Sequence, residues 1–138
     1  MVHAASRTIA EHLLRLGYLQ GDLDDICSAQ IPDLFMPHGL GHLMGIDTHD
    51  VGGIPVGVEK YKTLRMNRPL LKDMCVTVEP GCYFIPALLD RAFEDEAKAK
   101  HLNEDRIRPM YRFGGVRIED DIFVTEDGVR LVSSILQH

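Results

Sequence analysis

The sequence has few cysteines, no long apolar run and fewer basic than acidic residues, and each of these features disfavours a class of protein. The three cysteines, Cys27, Cys75 and Cys82, are odd in number and lack CxxC spacing, which disfavours a disulfide framework or a zinc ribbon. No run approaches the roughly 18 apolar residues of a membrane-spanning helix. The formal net charge of −6 disfavours nucleic acid and anionic membranes as partners, because both require a basic face.

The N-terminus has no leader pattern, and the composition is that of a globular protein. Residues 1–7 contain no basic run followed by an apolar block, so they are not typical of a secretory signal. Together with the cysteine usage, this predicts a cytoplasmic protein. The 138 residues, 45% of them hydrophobic and 26% charged, correspond to one ordinary domain and exclude the disordered and low-complexity classes.

Hydrophobic periodicity predicts an α+β fold rich in antiparallel strands. Helices are predicted over the first sixteen residues, with Gly17 as the stop, from Asp22 to Gln30, and, as an exposed helix, from Ala87 to Leu102. Two strands are predicted between Leu70 and Phe84, and a hairpin between Gly115 and Ser133 that turns at Glu126-Asp127-Gly128.

His38 and His42 enclose a segment that contains two glycines. On a helix, histidines four residues apart share a face and could share a metal ion, but two glycines destabilise a helix by about 2 kcal/mol relative to alanine. In an extended segment the two imidazoles lie roughly 13 Å apart, too far to bind one ion together. One could then be a ligand and the other a substrate contact. Taken alone, such a pair is more often one surface and one buried histidine.

Glu79 and Glu119 each lie on the polar face of a predicted strand. Glu79 points away from the valines of its strand, directly before a Pro-Gly pair, and Glu119 shares a face with Arg117. Either glutamate by itself is typical of a solvated strand face, where an ion pair contributes little. One histidine and two glutamates from three separate segments instead favour a site for Mn²⁺, Zn²⁺ or Co²⁺, and bridging carboxylates suit a pair of ions.

Four motifs occur in a fixed order: PHGLGH at 37–42, GIDTHDVGG at 45–53, TVEPG at 77–81 and GGVRIED at 114–120. In this set the sequence closely resembles the C-terminal part of the prolidases (Xaa-Pro dipeptidases) of peptidase family M24. The resemblance runs over nearly the whole chain. It implies a partial pita-bread (creatinase/aminopeptidase-like) fold, in which a curved antiparallel sheet with helices on its outer face holds two metal ions.

The resemblance also implies the roles of single residues. His42, Glu79 and Glu119 are expected to be metal ligands, with Glu119 bridging both ions and Glu79 also serving in proton transfer. His38 and His49 are expected to be catalytic residues that contact the substrate around its scissile carbonyl. Arg65 is expected to hold the substrate carboxylate. Arg117 is expected to lie behind Glu119, where a cation favours the ionised carboxylate.

The implied activity is hydrolysis of Xaa-Pro dipeptides by a hydroxide held between two divalent ions, with Mn²⁺ expected and Zn²⁺ or Co²⁺ as alternatives. The implied partners are a proline-containing dipeptide and, for the full-length protein, a second copy in a homodimer. Two other functions remain open: a catalytically silent pita-bread module that binds peptides or proteins, and an aminopeptidase that acts on longer Xaa-Pro peptides.

The sequence departs from the family pattern at its beginning. The family completes its site with two aspartates upstream of the HGLGH segment, but only 37 residues precede His38, and their aspartates lie in a different context. Residues 1–138 are therefore expected to be the C-terminal portion of a metallopeptidase catalytic domain, without the upstream half of that domain and without an N-terminal domain. This portion alone is expected to be inactive.

Overall fold

The structure is a computed structural model that describes residues 1–53 and 65–133. The chain forms two compact units. The first consists of Met1–Pro37 and Gly81–Arg117, and the second of the described residues of His38–Pro80 and Ile118–His138.

The first unit contains the helices and one two-stranded antiparallel sheet. Its elements are α1 (Val2–Arg15), α2 (Leu23–Ser28), α3 (Pro32–Phe35), α4 (Pro86–Phe93), α5 (Glu96–Ala99), α6 (Glu104–Ile107), a 3₁₀ helix (Arg108–Arg112), β2 (Gly81–Tyr83) and β3 (Gly115–Arg117). Apolar side chains from these helices and from β2 and its flank form a core in which Phe35 and Phe84 meet edge to face, with ring centroids 5.6 Å apart. This packing stabilises the short helices, which are marginal in isolation.

The two N-terminal helices confirm the sequence-based prediction. Gly17 ends α1 with a φ of +77°, a left-handed conformation that glycine adopts without steric strain. The Asp22 carboxylate accepts hydrogen bonds from the backbone N–H groups of Asp24 and Asp25 and so caps α2. Leu13 of α1 is buried, and Leu16, which follows the helix, is exposed.

The predicted single exposed helix over Ala87–Leu102 is wrong in two respects. It is two helices, α4 and α5, because the Asp95 carboxylate accepts a hydrogen bond from the backbone N–H of Ala97 and starts a new helix there. It is also partly buried, since Leu89 and Ala92 are in the core of the first unit.

The second unit contains a three-stranded antiparallel sheet with the order β1-β4-β5. Its strands are β1 (Cys75–Val78), β4 (Asp120–Val124) and β5 (Val129–Leu131). The hairpin of β4 and β5 turns where the sequence predicts, with the backbone N–H of Thr125 donating to the carbonyl of Gly128. Gly115–Arg117 does not belong to this hairpin, because it forms β3 and pairs with β2 in the first unit.

The three cysteines are free and half-buried. Burial raises the pKa of the Cys82 thiol, which lowers its thiolate fraction near neutral pH. Within residues 1–53 and 65–133, no helix is both long and apolar enough to cross a bilayer.

Candidate functional site

An extended segment that contains His42 lies alongside β1. The backbone N–H groups of Met44, Thr77 and Glu79 donate to the carbonyls of Cys75, His42 and Leu40 respectively, and Leu43 bridges antiparallel to Val76. Of the two conformations that the sequence leaves open, the glycine-rich segment therefore adopts the extended one. This pairing places His42 next to the polar face of β1.

Gly41 permits this close approach. A Cβ atom built on Gly41 would lie 1.9 Å from the carbonyl oxygen of Thr77, a separation that real Cβ atoms do not reach. The segment and β1 can pair at this distance only because residue 41 has no side chain.

His42 and Glu79 form a buried pair at the centre of this contact. Their residues are 5% and 8% exposed, and the Nε2 atom of His42 lies 3.1 Å from Oε1 of Glu79. The Nδ1 atom of His42 lies 3.0 Å from the Leu43 carbonyl oxygen. Because a carbonyl only accepts hydrogen bonds, we assign the proton to Nδ1, and Nε2 is then the nitrogen that faces the carboxylate.

This geometry calls for a cation between the two side chains. Without one, the lone pairs of Nε2 and of Oε1 would face each other at 3.1 Å in a buried environment. A proton between the two atoms or a metal ion removes that repulsion. Two ligand atoms that each lie about 2.1 Å from one ion, at right angles, are about 3 Å apart, close to the observed separation. Imidazole nitrogen and carboxylate oxygen therefore fit a divalent transition metal here.

Glu119 lies opposite Glu79 in the backbone register. Val78 pairs with Asp120 across β1 and β4, and the backbone N–H of Ile118 donates to the carbonyl of Pro80, so the positions between them, 79 and 119, face each other. Like charges directly opposite each other on neighbouring strands are destabilising. Two opposed glutamates are thus a further feature that a cation would stabilise. The Glu119 side chain itself is exposed, as a solvated strand face would be.

Of the two remaining predicted histidines, His49 meets His42. Their rings make an edge-to-face contact with centroids 4.3 Å apart and planes at 70°. The loop that carries His49 is closed by a hydrogen bond from the backbone N–H of Asp50 to the carbonyl of Leu43. His38 is half-buried, and its Nδ1 lies 2.8 Å from the carbonyl oxygen of Gly39.

The two predicted arginines lie in different units. Arg65 is exposed in the second unit, and its carbonyl oxygen would lie 2.5 Å from a Cβ atom built on Gly52. The chain that carries Arg65 therefore runs close beside the segment that follows His49. Thr63 and Leu64, which precede it, lie outside the described residues. Arg117 is the last residue of β3 in the first unit and is exposed.

The structure thus brings together part of the predicted site. Within the described ranges 1–53 and 65–133, no three His, Cys, Asp or Glu side chains converge as a group that could hold a metal ion. His42 and Glu79 are paired and His49 contacts the His42 ring, while the ligand role of Glu119 stays a prediction.

Sequence reasoning missed the part played by Thr77. Its alternation with Val76 and Val78 places it on the face of Glu79, which the sequence predicts to be polar and solvated. Thr77 is 4% exposed, and its hydroxyl contacts both His42 and Glu79. The signal for its role is that Thr77 and Glu79 lie on the same face of β1. The strand sequence alone does not show that the segment containing His42 covers this face.

Comparison with known proteins supports the family. The model of metallopeptidase family M24 matches residues 1–126. An Xaa-Pro dipeptidase of Homo sapiens is 46% identical over 140 residues, covering 98% of this chain and 28% of that protein. A probable Xaa-Pro aminopeptidase, pepP, of Botryotinia fuckeliana is 39% identical over 140 residues, covering 99% of this chain and 31% of that protein.

Solved structures give the same result for the fold. The aminopeptidase PepP of Pseudomonas aeruginosa superposes with a TM-score of 0.67 and 34% identity, over 96% of this chain and 25% of that chain. Aminopeptidase P from E. coli, solved with the inhibitor Pro-Leu, gives 0.65 and 33%, again over 96% and 25%. The predicted fold, α+β and part of a pita-bread domain, is confirmed. The chain spans between a quarter and a third of the length of these relatives, and it belongs to metallopeptidase family M24.

Proposed function

We propose that residues 1–138 are the C-terminal portion of the catalytic domain of a metal-dependent peptidase that hydrolyses Xaa-Pro dipeptides. The observation that carries the proposal is the buried pair of His42 and Glu79, whose Nε2 and Oε1 atoms face each other 3.1 Å apart. Such a pair is stable in a low-dielectric environment when a metal ion or a proton lies between its members.

The proposed metal site uses His42, Glu79 and Glu119, with Glu119 as the bridge between two ions. Mn²⁺ is the proposed metal, and Zn²⁺ and Co²⁺ are the alternatives, because all three accept nitrogen and carboxylate ligands. When bound, two such ions supply a hydroxide nucleophile near neutral pH and polarise the scissile carbonyl. Glu79 would take up the proton that the attacking water releases, and Arg117 would support Glu119 from behind.

The proposed substrate contacts come from the histidines and from Arg65. His49, which packs on the ring of His42, would contact the substrate beside the metal ligands, and His38 would contact the scissile carbonyl. The Xaa-Pro bond is a tertiary amide without an N–H group, so it offers these residues only an acceptor. The Arg65 guanidinium would hold the free carboxylate of the proline and restrict cleavage to dipeptides.

The experiment that tests this function is an assay of the full-length protein with Mn²⁺ and Gly-Pro. We expect release of free proline that stops when the metal is removed by a chelator and resumes when Mn²⁺ is returned. Absence of hydrolysis with Mn²⁺, Zn²⁺ and Co²⁺ would overturn the proposal, and metal-independent binding of the dipeptide would favour the silent binding module.

An aminopeptidase that acts on longer Xaa-Pro peptides is the second candidate, because several similar proteins and structures carry that name. Parallel assays with Gly-Pro and with a longer Gly-Pro peptide separate the two candidates. Faster turnover of the longer peptide would favour the aminopeptidase.

We also propose that the full-length protein is a cytoplasmic homodimer. Light scattering after gel filtration measures the mass and so tests the dimer.

Replacement of Arg65 by alanine in the full-length protein is expected to raise KM for Gly-Pro about tenfold to a hundredfold and leave the metal content unchanged. The physical reason is the loss of a charge-assisted hydrogen bond to the substrate carboxylate, worth roughly 1.5–3 kcal/mol. Lysine should rescue only part of the loss, because an ammonium group cannot reproduce the two parallel hydrogen bonds that a planar guanidinium donates to a carboxylate. Steady-state kinetics and metal analysis measure both effects.

Arg68→Ala is the matched control, since Arg68 is also an exposed arginine of the second unit. It should leave KM within about twofold of wild type, as expected for an exposed cation with no substrate partner. A KM for Arg65→Ala that also stays within twofold would contradict the proposal that Arg65 holds the substrate carboxylate. So would a wild-type enzyme that cleaves the amidated dipeptide as well as the free acid.

Replacement of Glu119 by glutamine is expected to lower kcat/KM for Gly-Pro by at least tenfold, because a bridging ligand needs its full negative charge between two cations. Asp120→Asn is the control. Alternation turns Asp120 to the other face of β4, and its carboxylate accepts a hydrogen bond from the Ser133 hydroxyl, which asparagine can also do. Equal losses in the two variants would show that the wrong face of the strand was assigned.

A further inference from the structure

The hydroxyl group of Thr77 connects the two members of the buried pair. It accepts a hydrogen bond from the backbone N–H of His42, with an N···O distance of 3.0 Å, and it lies 2.7 Å from Oε1 of Glu79. All three residues are at most 8% exposed.

The direction of these bonds is determined by the groups involved. A backbone N–H can only donate, so the Thr77 oxygen accepts from His42. Its own proton is then available for Glu79, and Oε1 is the acceptor. Thr77 therefore holds Oε1 in the position in which it faces Nε2 of His42, 3.1 Å away. The β-branched side chain has few χ1 rotamers, and strand pairing holds its backbone, so this hydroxyl is rigidly placed.

We propose that Thr77 is a positioning residue that orients the Glu79 carboxylate for a divalent metal ion before the ion binds. The inference rests on the proposed function, from which it takes His42 and Glu79 as ligands. Outer groups that hydrogen-bond to metal ligands fix the orientation of those ligands, and their loss typically reduces metal affinity. The role differs from that of a strand residue that only packs, because it depends on the hydroxyl and not on the shape of the side chain.

The test compares Thr77→Val with Thr77→Ser in the full-length protein. Valine keeps the shape and removes the hydroxyl, whereas serine keeps the hydroxyl. Calorimetric titration of the metal-free protein with Mn²⁺ is the readout, so no catalytic turnover is needed. We expect Thr77→Val to bind Mn²⁺ about 10- to 100-fold more weakly than wild type and Thr77→Ser to bind within about threefold.

Thr125→Val is the matched control. The Thr125 hydroxyl also donates to a carboxylate two residues further along the chain, that of Asp127, but in the exposed hairpin turn. This variant should bind Mn²⁺ as wild type does. An affinity for Thr77→Val within twofold of wild type would overturn the proposal. An equal loss in Thr77→Ser would overturn it as well.

Crystal structures of the wild-type protein, with and without Mn²⁺, provide a second test that does not depend on whether a variant folds. We expect the Thr77 hydroxyl within hydrogen-bond distance of Glu79 in both, with the carboxylate in one orientation. A carboxylate that leaves Thr77 in the metal-free protein would overturn the proposal. Failure of wild type to bind Mn²⁺ would instead overturn the proposed metal site, so the two failures are distinguishable.

Discussion

Replacement of Glu79 by glutamine in the full-length protein is expected to weaken Mn²⁺ binding by about 10² to 10⁴ and to abolish measurable hydrolysis of Gly-Pro. Glu79 is 8% exposed and faces His42 at 3.1 Å, so the carboxylate charge acts in a region from which water is largely excluded. Removal of one partner from a buried charged pair costs about 3–5 kcal/mol, which corresponds to that range of binding constants. Calorimetry with Mn²⁺ and proline release measure the two losses.

Glu126→Gln is the control for this substitution. Glu126 carries the same side chain in the exposed turn between β4 and β5, where its ion pair with Lys72 is open to solvent and contributes at most about 1 kcal/mol. This variant should match wild type in metal affinity and activity. If Glu79→Gln binds Mn²⁺ as tightly as Glu126→Gln does, Glu79 is not a ligand, and the proposed metal site is wrong.

Replacement of Gly41 by alanine is expected to destabilise the second unit by about 3–5 kcal/mol and to reduce Mn²⁺ affinity together with stability. The added Cβ atom would lie 1.9 Å from the Thr77 carbonyl oxygen and 2.8 Å from its carbonyl carbon. Both are backbone atoms of β1, so no side-chain rotation relieves the overlap. The histidine segment must move away from β1, and the buried hydrogen bonds between His42 and Thr77 are lost. Urea unfolding of the full-length protein and metal titration measure these effects.

Gly128→Ala tests whether the effect belongs to the contact or to glycine replacement in general. A Cβ atom on Gly128 would find its nearest neighbour, the Thr125 hydroxyl oxygen, 4.0 Å away, so the substitution should change the free energy of unfolding by less than about 1 kcal/mol. A Gly41→Ala protein that unfolds at the same urea concentration as Gly128→Ala would refute the pairing of the segment with β1.

Local sequence signals predicted the helix ends that depend only on residues close together in the chain. Gly17 ends α1 and Asp22 caps α2 as expected, because positive φ and capping depend on one residue and its immediate neighbours. The prediction failed where neighbours distant in sequence decide. Gly115–Arg117 alternates as a strand should, but its partner is β2 and not β5. Alternation identifies a strand without identifying the strand beside it.

In the candidate site, too, the sequence determined some features and the tertiary structure determined the others. The order of the motifs and the identity of His42, Glu79 and Glu119 are properties of the sequence, and they determined the family and the donor chemistry. Alternation also determined that Thr77 and Glu79 share a face of β1. Only the tertiary structure decided that this face is buried and that a threonine hydroxyl joins the two candidate ligands. Burial and hydrogen-bond partners depend on which segment lies alongside, and His42 reaches β1 from 35 residues away in the chain, at a distance that the absence of a side chain at Gly41 permits.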